Sequence, residues 1–325
     1  MNSAPFFIVG SGRSGSTLLR VILASHSRIT IPPETWFLLP LLRRLRTDKP
    51  LDVTQVEFAV KTITGHYRWP DMMMSEADFR RRVRELERPF LRDIVQIIYQ
   101  THMERDKKPR WGDKTPGYIE VVPQLMELFP GARFIHLVRD GRDVAKSFQQ
   151  RGWYGPWLHE NTREWNEALA YRERWNHVEA KNSILDVRYE DLVLDTERTV
   201  RGICDFLGEQ FEPQMLAWQG RVEDLVPARE LVIHDKLGRP PAAADVERWR
   251  HEMTVRELFV SEAFLGRHLV FAGYEPYFIN PLWTPLFQLT RWSCVGMEKV
   301  TSFPLKTLRH LRESHVRQSS GAPRE

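Results

Sequence analysis

The chain has 325 residues, of which 42% are apolar and 28% are charged. This composition is that of an ordinary folded protein with a buried core, and it excludes a disordered or fibrous chain. The formal net charge of +4 is modest, so we expect no nucleic-acid partner.

The cysteine content and the apolar tracts bear on cofactors and location. Two cysteines, Cys204 and Cys294, give neither a disulfide framework nor a metal-ligand cluster, so we expect no metal and a cytoplasmic protein. The first residues, MNSAPFFIVG, do not resemble a signal peptide or an anchor. The apolar tract 277–297 contains two prolines and Arg291, so we expect no transmembrane segment.

The basic, aromatic C-terminal part has a composition suited to peripheral contact with a membrane surface. Docking of this part onto the protein's own core is the competing interpretation, and the pattern favours it. Oligomeric state is not predicted from the sequence.

The first elements form a strand, a loop and a helix. Residues 6–9 are continuously apolar, and apolar residues recur at helical spacing from Ser14 to Ser25. RITIPPETW then predicts a short strand that ends at two prolines and leaves Glu34 on a loop. The charged stretch from 38 to about 110 is predicted to be helical, an insertion that covers one side of the site.

Strand-to-helix units recur further along the chain. We predict a helix over 118–129, a strand over 134–138 and a helix from the turn at 140–143, and ILDVRYEDLVLDTERTVRGICDFLG repeats this order. The alternation predicts an α/β fold with a mostly parallel sheet wrapped by helices on both faces. We predict one domain over 1–280 and a C-terminal extension over 281–325 whose last residues are disordered.

Three segments are predicted to converge at the carboxyl ends of the strands, where such sheets bind ligands. They are the glycine-rich loop 10–17, the turn carrying Glu34, and the turn 139–143.

The loop GSGRSGSTLLR has the layout of a phosphate-binding loop. Gly10 and Gly15 stand where such a loop needs glycine, and its backbone N–H groups and helix dipole attract an anion. Ser16 occupies the place where a nucleotide hydrolase carries lysine, and no matching acidic metal ligand is apparent. The pattern therefore predicts metal-free binding of an anion less charged than a triphosphate, met by Arg13.

These residues resemble a known family, the PAPS-dependent sulfotransferases. The resemblance rests on GSGRSGSTLLR, PPETW, WGDKTPGYIEVVPQLMELFPGARFIHLVRDGRDVAKSF and VRYEDLVLDTERTVRGICDFLG. It runs in order over about 6–210 and more loosely to about 275. It is strongest to the branch with a PRSGT loop, which includes tyrosylprotein and many bacterial sulfotransferases. The resemblance implies 3′-phosphoadenosine 5′-phosphosulfate (PAPS) as donor, adenosine 3′,5′-bisphosphate as product, and the P-loop, nucleotide-kinase-like architecture.

The resemblance also implies which residues bind the donor. Arg139 and Ser147 would hold the 3′-phosphate, Tyr189 would lie near the nucleotide, and Arg248 would close over it, with Arg250 nearly as good a choice. The phosphosulfate would be held by the loop residues Gly12, Arg13, Ser14, Gly15, Ser16 and Thr17.

The alternatives at these positions are structural. Arg139 forms a surface ion pair with Asp140 or Asp143 in the competing interpretation. Ser147 is then only a small helix residue, and Tyr189 is a core tyrosine.

Three catalytic residues follow from the resemblance and from residue chemistry. Glu34 is the candidate general base, with a pKa raised by partial burial, whereas its alternatives are an exposed carboxylate or a helix cap. Lys114 and Arg13 would stabilise charge on the transferring group. The alternative for Lys114 is a loop lysine paired with Asp113. Among alternative bases, the histidines in polar loops, His66 and His234, stay open.

The acceptor is a hydroxyl compound that the resemblance does not identify. Trp153, Tyr154 and Trp157 are suited to stacking on a planar or apolar group, which favours a carbohydrate, a glycolipid or another small molecule. Sulfation of protein tyrosine is the alternative. Two other classes are a P-loop small-molecule kinase, which would need lysine at position 16, and an inactive nucleotide-binding protein, which would lack Glu34 or Lys114.

Overall fold

A computed structural model of the chain describes residues 4–177, 183–231, 237–278 and 283–294. Its central layer is a five-stranded sheet in the order β2-β3-β1-β4-β5, and all neighbouring strands are parallel. The strands are β1 Phe6–Gly10, β2 Ile29–Thr30, β3 Arg110–Lys114, β4 Arg133–Val138 and β5 Ile184–Arg188. The predicted α/β fold with a parallel sheet is therefore confirmed.

Helices connect the strands and continue beyond the sheet. The α-helices are α1 Ser16–Ala24, α2 Leu38–Leu42, α3 Val53–Thr64, α4 Glu76–Arg84, α5 Leu91–Asp106, α6 Val122–Leu128, α7 Gly141–Arg151, α8 Arg163–Arg174, α9 Tyr189–Leu194, α10 Thr196–Leu207, α11 Val222–Leu225, α12 Ala228–Leu231, α13 Trp249–Glu252, α14 Val255–Phe271 and α15, residues 283–294. Short 3₁₀ helices include Trp69–Met72, Pro116–Val121, Glu160–Thr162, Trp175–His177, Pro213–Arg221 and Ala243–Asp245.

The two faces of the sheet are covered by different helices. Along β1, Phe7 and Val9 enter one core with side chains of α2 to α6 and α8, whereas Phe6 and Ile8 enter a second core with α1 and α10. The Phe7 ring stacks on Phe134 of β4 with centroids 5.4 Å apart. Burial of each such phenylalanine contributes about 2 kcal/mol relative to exposure. The prediction of helices on both faces is confirmed.

Strand β3 was not predicted, because it holds three charged residues in five. All five residues are buried, and each charge has a partner inside the protein. Arg110 donates to the backbone oxygen of Leu207, and Asp113 accepts a hydrogen bond from Tyr99. A strand whose charges are satisfied internally lacks the apolar run by which a buried strand is recognised.

The described C-terminal residues pack against the main body. Helix α14 has a break at Gly266, where φ is +50° and the backbone is not helical. Within the described residues, no helix combines the length and the apolar character needed to cross a membrane. The predicted disorder of the last residues falls outside the described ranges, and the single-domain boundary near 280 stays a prediction.

Candidate active site

The carboxyl edge of the sheet gathers the predicted site. The loop 11–15 follows β1, Arg139 follows β4, and Tyr189 begins the helix after β5. Lys114 is the last residue of β3, and Glu34 lies on the turn beyond β2. Since all five strands are parallel, these residues meet at one edge.

The glycine-rich loop depends on backbone conformations that favour glycine. Gly10 has φ +144°, and a Cβ atom there would lie 2.5 Å from the Leu137 backbone oxygen. Gly15 has φ +91°, and its Cβ would lie 2.3 Å from Cδ2 of Tyr189. Helix α1 begins directly after Gly15, whose position as N-cap provides no side-chain cap, and the positive end of the helix dipole therefore faces the loop and attracts an anion.

A pocket of about 270 Å³ opens at this loop. Among the described residues, its charged lining is strongly basic, with Asp245 as the one acidic side chain. The lining residues are Arg13, Gly15, Ser16, Thr17, Leu18, Arg139, Ser147, Gln150, Arg151, Tyr189, Leu237, Arg239, Pro241, Asp245 and Arg248. Such a pocket suits a ligand with more than one anionic group.

Arg139 is held in this pocket by several groups. Its Nη2 donates to Asp143 Oδ2 at 2.9 Å and to the Asp245 backbone oxygen at 3.1 Å, and its guanidinium lies 4.5 Å from the centre of the Tyr189 ring. The predicted alternative pairing with Asp143 is thus real, but the pair is buried. Among the described residues, Arg139 Nε has no hydrogen-bond partner and is available to a bound anion.

Most predicted donor-binding residues lie together around the pocket. Gly12 and Ser14 are exceptions. The Gly12 N–H donates to Glu164 Oε1 at 2.6 Å, and Ser14 is buried in the loop with no partner for Oγ among the described residues. Arg248 lines the pocket, whereas Arg250 pairs with Glu247 outside it.

Three polar lining residues were missed by sequence reasoning: Gln150, Arg151 and Arg239. Arg151 lies one helical turn after Ser147, so its helical spacing was a usable signal. Arg239 donates to Asp245 Oδ1 at 2.8 Å from a loop, and no local pattern marks it.

A buried ion pair lies beside the loop. Lys114 Nζ is 2.5 Å from Glu34 Oε1 and 3.3 Å from Thr17 Oγ1. The Lys114 side chain is 1% exposed and that of Glu34 is 16% exposed. Lys114 is therefore neither a solvated loop residue nor a partner of Asp113, and Glu34 is not an exposed carboxylate.

The expected rise in the pKa of Glu34 was wrong. Burial alone would raise it, but the charges of Lys114 and Arg68 outweigh burial and lower the pKa of Glu34 to about 2. Trp36 Nε1 donates to the second carboxylate oxygen at 2.7 Å and favours the ionised form further. Glu34 is thus fully ionised at neutral pH.

Arg68, in the helical region between β2 and β3, contacts Glu34. The sequence patterns did not predict this residue. Its Nη2 donates to Glu34 Oε2 at 2.9 Å, while Nη1 contacts Glu230 and lies 3.7 Å from Asp71. The guanidinium bridges the Glu34 turn and helix α12. No local motif marks its role at the site, because Glu34 and Glu230 lie far from Arg68 in the sequence.

The two alternative bases differ in what the structure describes. His66 Nδ1 accepts the backbone N–H of Arg68 at 3.2 Å, and its ring packs 4.6 Å from that of Tyr67. His234 lies outside the described residues. Glu34, in contrast, is linked to the glycine-rich loop by Lys114, which contacts it.

The aromatic turn, which we define as residues 152–157, is tied to the loop. The Arg13 guanidinium lies 5.5 Å from the centre of the Trp153 ring, and Arg13 Nε donates to Ser147 Oγ at 3.1 Å. Tyr154 OH donates to Glu164, the same carboxylate that accepts the Gly12 N–H. Trp153 is 47% exposed, so part of its ring faces open space beside the loop.

Comparisons with known proteins agree with this geometry. A family model described as "Sulfotransferase family" matches residues 5–213. The sulfotransferase domain of the Synechococcus PCC 7002 olefin synthase is 25% identical with a TM-score of 0.56, covering 81% of this chain and 95% of that one. A sulfotransferase domain from the curacin biosynthetic pathway shows the same fold, with a TM-score of 0.56, 21% identity, and coverage of 85% and 99%.

Curated relatives match at similar identity. Nodulation protein NoeE of Sinorhizobium fredii is 26% identical over 83% of this chain, and protein-tyrosine sulfotransferase of Drosophila melanogaster is 24% identical over 85%. The chain spans 65% and 52% of the length of these two relatives. The ordered motifs, the arginine-lined loop pocket and the family match lead to one conclusion: the chain belongs to the sulfotransferase family.

Proposed function

We propose that this protein transfers a sulfuryl group from PAPS to the hydroxyl group of an acceptor. The observation that carries the proposal is the position of Lys114, whose Nζ contacts both Thr17 of the glycine-rich loop and the carboxylate of Glu34. One cation thereby joins the anion-binding loop to a carboxylate able to take a proton. This arrangement suits group transfer from a bound anion to a hydroxyl.

The pocket matches PAPS in charge, and it offers groups that can donate hydrogen bonds to PAPS. The loop N–H groups, Ser16, Thr17 and Arg13 would bind the 5′-phosphosulfate, while Arg139 and Ser147 would bind the 3′-phosphate. The unpartnered Nε of Arg139 supports this assignment. Tyr189 and Arg248 would contact the nucleoside. A kinase would use lysine and Mg²⁺ where this site presents arginines, so a metal-free reaction is proposed.

The residues divide the chemistry between them. The donor supplies a sulfuryl group whose leaving group is a phosphate oxygen. Glu34 accepts the proton of the acceptor hydroxyl as its oxygen bonds to sulfur. Lys114 and Arg13 stabilise the negative charge that develops on the departing oxygen.

The acceptor proposed here is a carbohydrate, glycolipid or other small hydroxyl compound. The partly exposed rings of the aromatic turn, beside Arg13, support stacking on such a group. Sulfation of protein tyrosine is a second candidate, favoured by the relatives named protein-tyrosine sulfotransferase. We further propose a cytoplasmic location, in keeping with a sequence whose two cysteines give no disulfide framework.

Labelled transfer tests the proposal. Purified protein is incubated with ³⁵S-labelled PAPS and a panel of sugars, glycolipids, alcohols, phenols and tyrosine peptides, with EDTA present throughout. Transfer to one class, with adenosine 3′,5′-bisphosphate released, is the expected result. In a parallel assay with ATP and Mg²⁺, phosphate transfer that EDTA abolishes would instead identify a kinase. Nucleotide binding without any transfer would identify an inactive binding protein.

A further inference from the structure

The turn that carries Glu34 is anchored at both ends. Ile31, which follows β2, accepts a hydrogen bond on its backbone oxygen from Arg20 Nη2 of α1 at 3.1 Å. Thr35, directly after Glu34, is buried and hydrogen-bonds to β3 and the residues that follow it. Residues 32–33 between these anchors are both proline, whose ring fixes the backbone angle φ. Glu34 therefore projects from a short, stiff segment.

Three polar groups of Thr35 are bound by the segment that carries Lys114. The Thr35 hydroxyl donates to Asp113 Oδ2 at 2.5 Å. The Thr35 N–H donates to Thr115 Oγ1 at 3.0 Å, and the Thr35 backbone oxygen accepts a hydrogen bond from Tyr118 OH. The residues on either side of Lys114 thus hold the residue that follows Glu34.

The Asp113 carboxylate lies where burial opposes its charge. Asp113 is 0% exposed, and Tyr99 OH donates to the same Oδ2 atom at 2.9 Å. Burial nevertheless raises the pKa of Asp113 to about 6. Apolar side chains of similar size would fill this space without the cost of a buried charge, so packing alone does not account for the pair of Asp113 and Thr35.

The proposed reaction makes different demands on Lys114 and Glu34. Lys114 stabilises charge on the donor, so its 2.5 Å ion pair with Glu34 cannot also hold the base during transfer. Arg68 and Trp36 still contact the Glu34 carboxylate. The backbone of the turn is held by the hydrogen bonds of Thr35, which do not involve the Lys114 ammonium group.

We propose that Thr35 and Asp113 are positioning residues, whose hydrogen bond keeps the backbone of Glu34 beside the glycine-rich loop while Lys114 contacts the donor. The inference rests on the proposed sulfuryl transfer with Glu34 as the base. Neither Thr35 nor Asp113 is among the described residues that line the donor pocket. Their contribution therefore acts through Glu34, on the chemical step and not on nucleotide binding.

Thr35→Val tests the proposal, because it removes the hydroxyl and keeps the shape of the side chain. We expect kcat for labelled transfer to fall about 10- to 100-fold, the effect of displacing a reacting group by about 1 Å. The Kd of adenosine 3′,5′-bisphosphate, measured by calorimetry, should change less than about threefold. Thr35→Ser keeps the hydroxyl and should stay within about threefold of the wild-type kcat.

The partner residue is tested in the same way. Asp113→Leu offers no acceptor oxygen and should lower kcat as Thr35→Val does, whereas Asp113→Asn keeps one acceptor oxygen and should recover part of the loss. Unchanged nucleotide affinity verifies that each variant is folded.

Thr30→Val is the matched control. Thr30 of β2 is also buried, and its hydroxyl donates to the carboxylate of Asp106 at the end of α5. This variant loses the same kind of hydrogen bond four residues before Glu34. We expect Thr30→Val to lower the melting temperature and to leave kcat unchanged.

A double-mutant cycle separates positioning of the base from a general loss of structure. If Thr35 acts through Glu34, then Thr35→Val should not lower the kcat of Glu34→Gln any further, because no base is left to position. Additive losses in the cycle, or equal losses of kcat in Thr35→Val and Thr30→Val, would show that Thr35 has only a structural role.

The outcomes also distinguish this inference from the proposed function. Transfer by the wild type that is lost in Glu34→Gln but retained in Thr35→Val would reject the positioning role and leave the proposed function intact. Absence of transfer by the wild type to every acceptor would reject the proposed function, and the positioning role with it.

Discussion

Lys114 Nζ lies 2.5 Å from Glu34 Oε1, so the candidate base and a cation of the donor site neutralise each other in the structure. A carboxylate with a pKa of about 2 is ionised but weakly basic. Lys114 also contacts Thr17 of the loop. A phosphosulfate bound at this loop would therefore compete with Glu34 for the charge of Lys114. We expect donor binding to draw Lys114 from Glu34 and to restore the basicity of Glu34.

Replacement of the candidate base should remove turnover without removing nucleotide binding. In Glu34→Gln we expect kcat to fall by about 10²–10⁴-fold, the usual contribution of a general base. The affinity for adenosine 3′,5′-bisphosphate, measured by calorimetry, should change less than about threefold, since Glu34 does not line the donor pocket. Glu230→Gln is the matched control, because Glu230 contacts Arg68 but not the loop. Full activity in Glu34→Gln would reject this residue as the base.

The second prediction concerns pH. Arg68→Met removes one of the two cations that lower the pKa of Glu34, so this pKa should rise from about 2 toward its ordinary value of 4.5. Glu34 would then be partly protonated at pH 4, where the wild-type carboxylate is ionised. We expect the ratio of the transfer rates at pH 4 and pH 7 to fall in Arg68→Met.

Arg80→Met serves as the control, since Arg80 pairs with Glu57 and Glu76 away from the site. An identical pH ratio in wild type and Arg68→Met would show that Arg68 does not set the ionisation of Glu34.

Two neighbouring arginines provide a test of the donor pocket. Arg248 lines the pocket, whereas Arg250 pairs with Glu247 and lies against the Trp249 ring at 4.4 Å. We expect Arg248→Ala to weaken binding of adenosine 3′,5′-bisphosphate by about tenfold or more, the effect of losing one charge-assisted contact. Arg250→Ala should bind as the wild type does. The reverse ranking in calorimetry would move the nucleotide contact to Arg250.

The fourth prediction concerns Glu164, which joins the loop to the aromatic turn. Its carboxylate accepts the Gly12 N–H at 2.6 Å and the hydroxyl of Tyr154. Loss of hydrogen bonds to a charged group costs about 1.5–3 kcal/mol, so kcat/KM for the acceptor should fall about tenfold to a hundredfold in Glu164→Ala.

Glu164→Gln keeps an acceptor oxygen and should recover most of this loss. Glu167→Ala is the control on the same helix, because Glu167 pairs with the exposed Arg163. A lower melting temperature of Glu164→Ala without any change in kcat/KM would show that Glu164 has only a structural role.

Local patterns were enough to predict the centre of the fold. The run from β1 through the loop into α1 combines an apolar strand, glycines and helical periodicity, and each signal acts over a few residues. The same holds for β4 and α7, which bring Arg139 and Ser147 to one pocket. The order of the motifs predicted that Glu34 lies on a turn beside the site, and in the structure Glu34 contacts Lys114.

The remaining site residues depend on contacts between distant parts of the chain. Arg68 is 34 positions from Glu34, and Glu164 is 152 positions from Gly12. Neither residue belongs to a spaced motif, so only the tertiary structure reveals these partners. The error in the pKa of Glu34 has the same origin, because burial was foreseen and the pairing of Glu34 with Lys114 and Arg68 was not.

The contact of Arg68 with Glu34 has a consequence for engineering new acceptor specificity. Arg68 belongs to the helical region between β2 and β3, which we predict covers one side of the site and so bears on acceptor choice. Exchanging this region for that of a relative would also replace a cation that sets the ionisation of the base. A chimera could thus gain the new acceptor and still turn over with an altered pH optimum, so grafts should retain arginine at position 68.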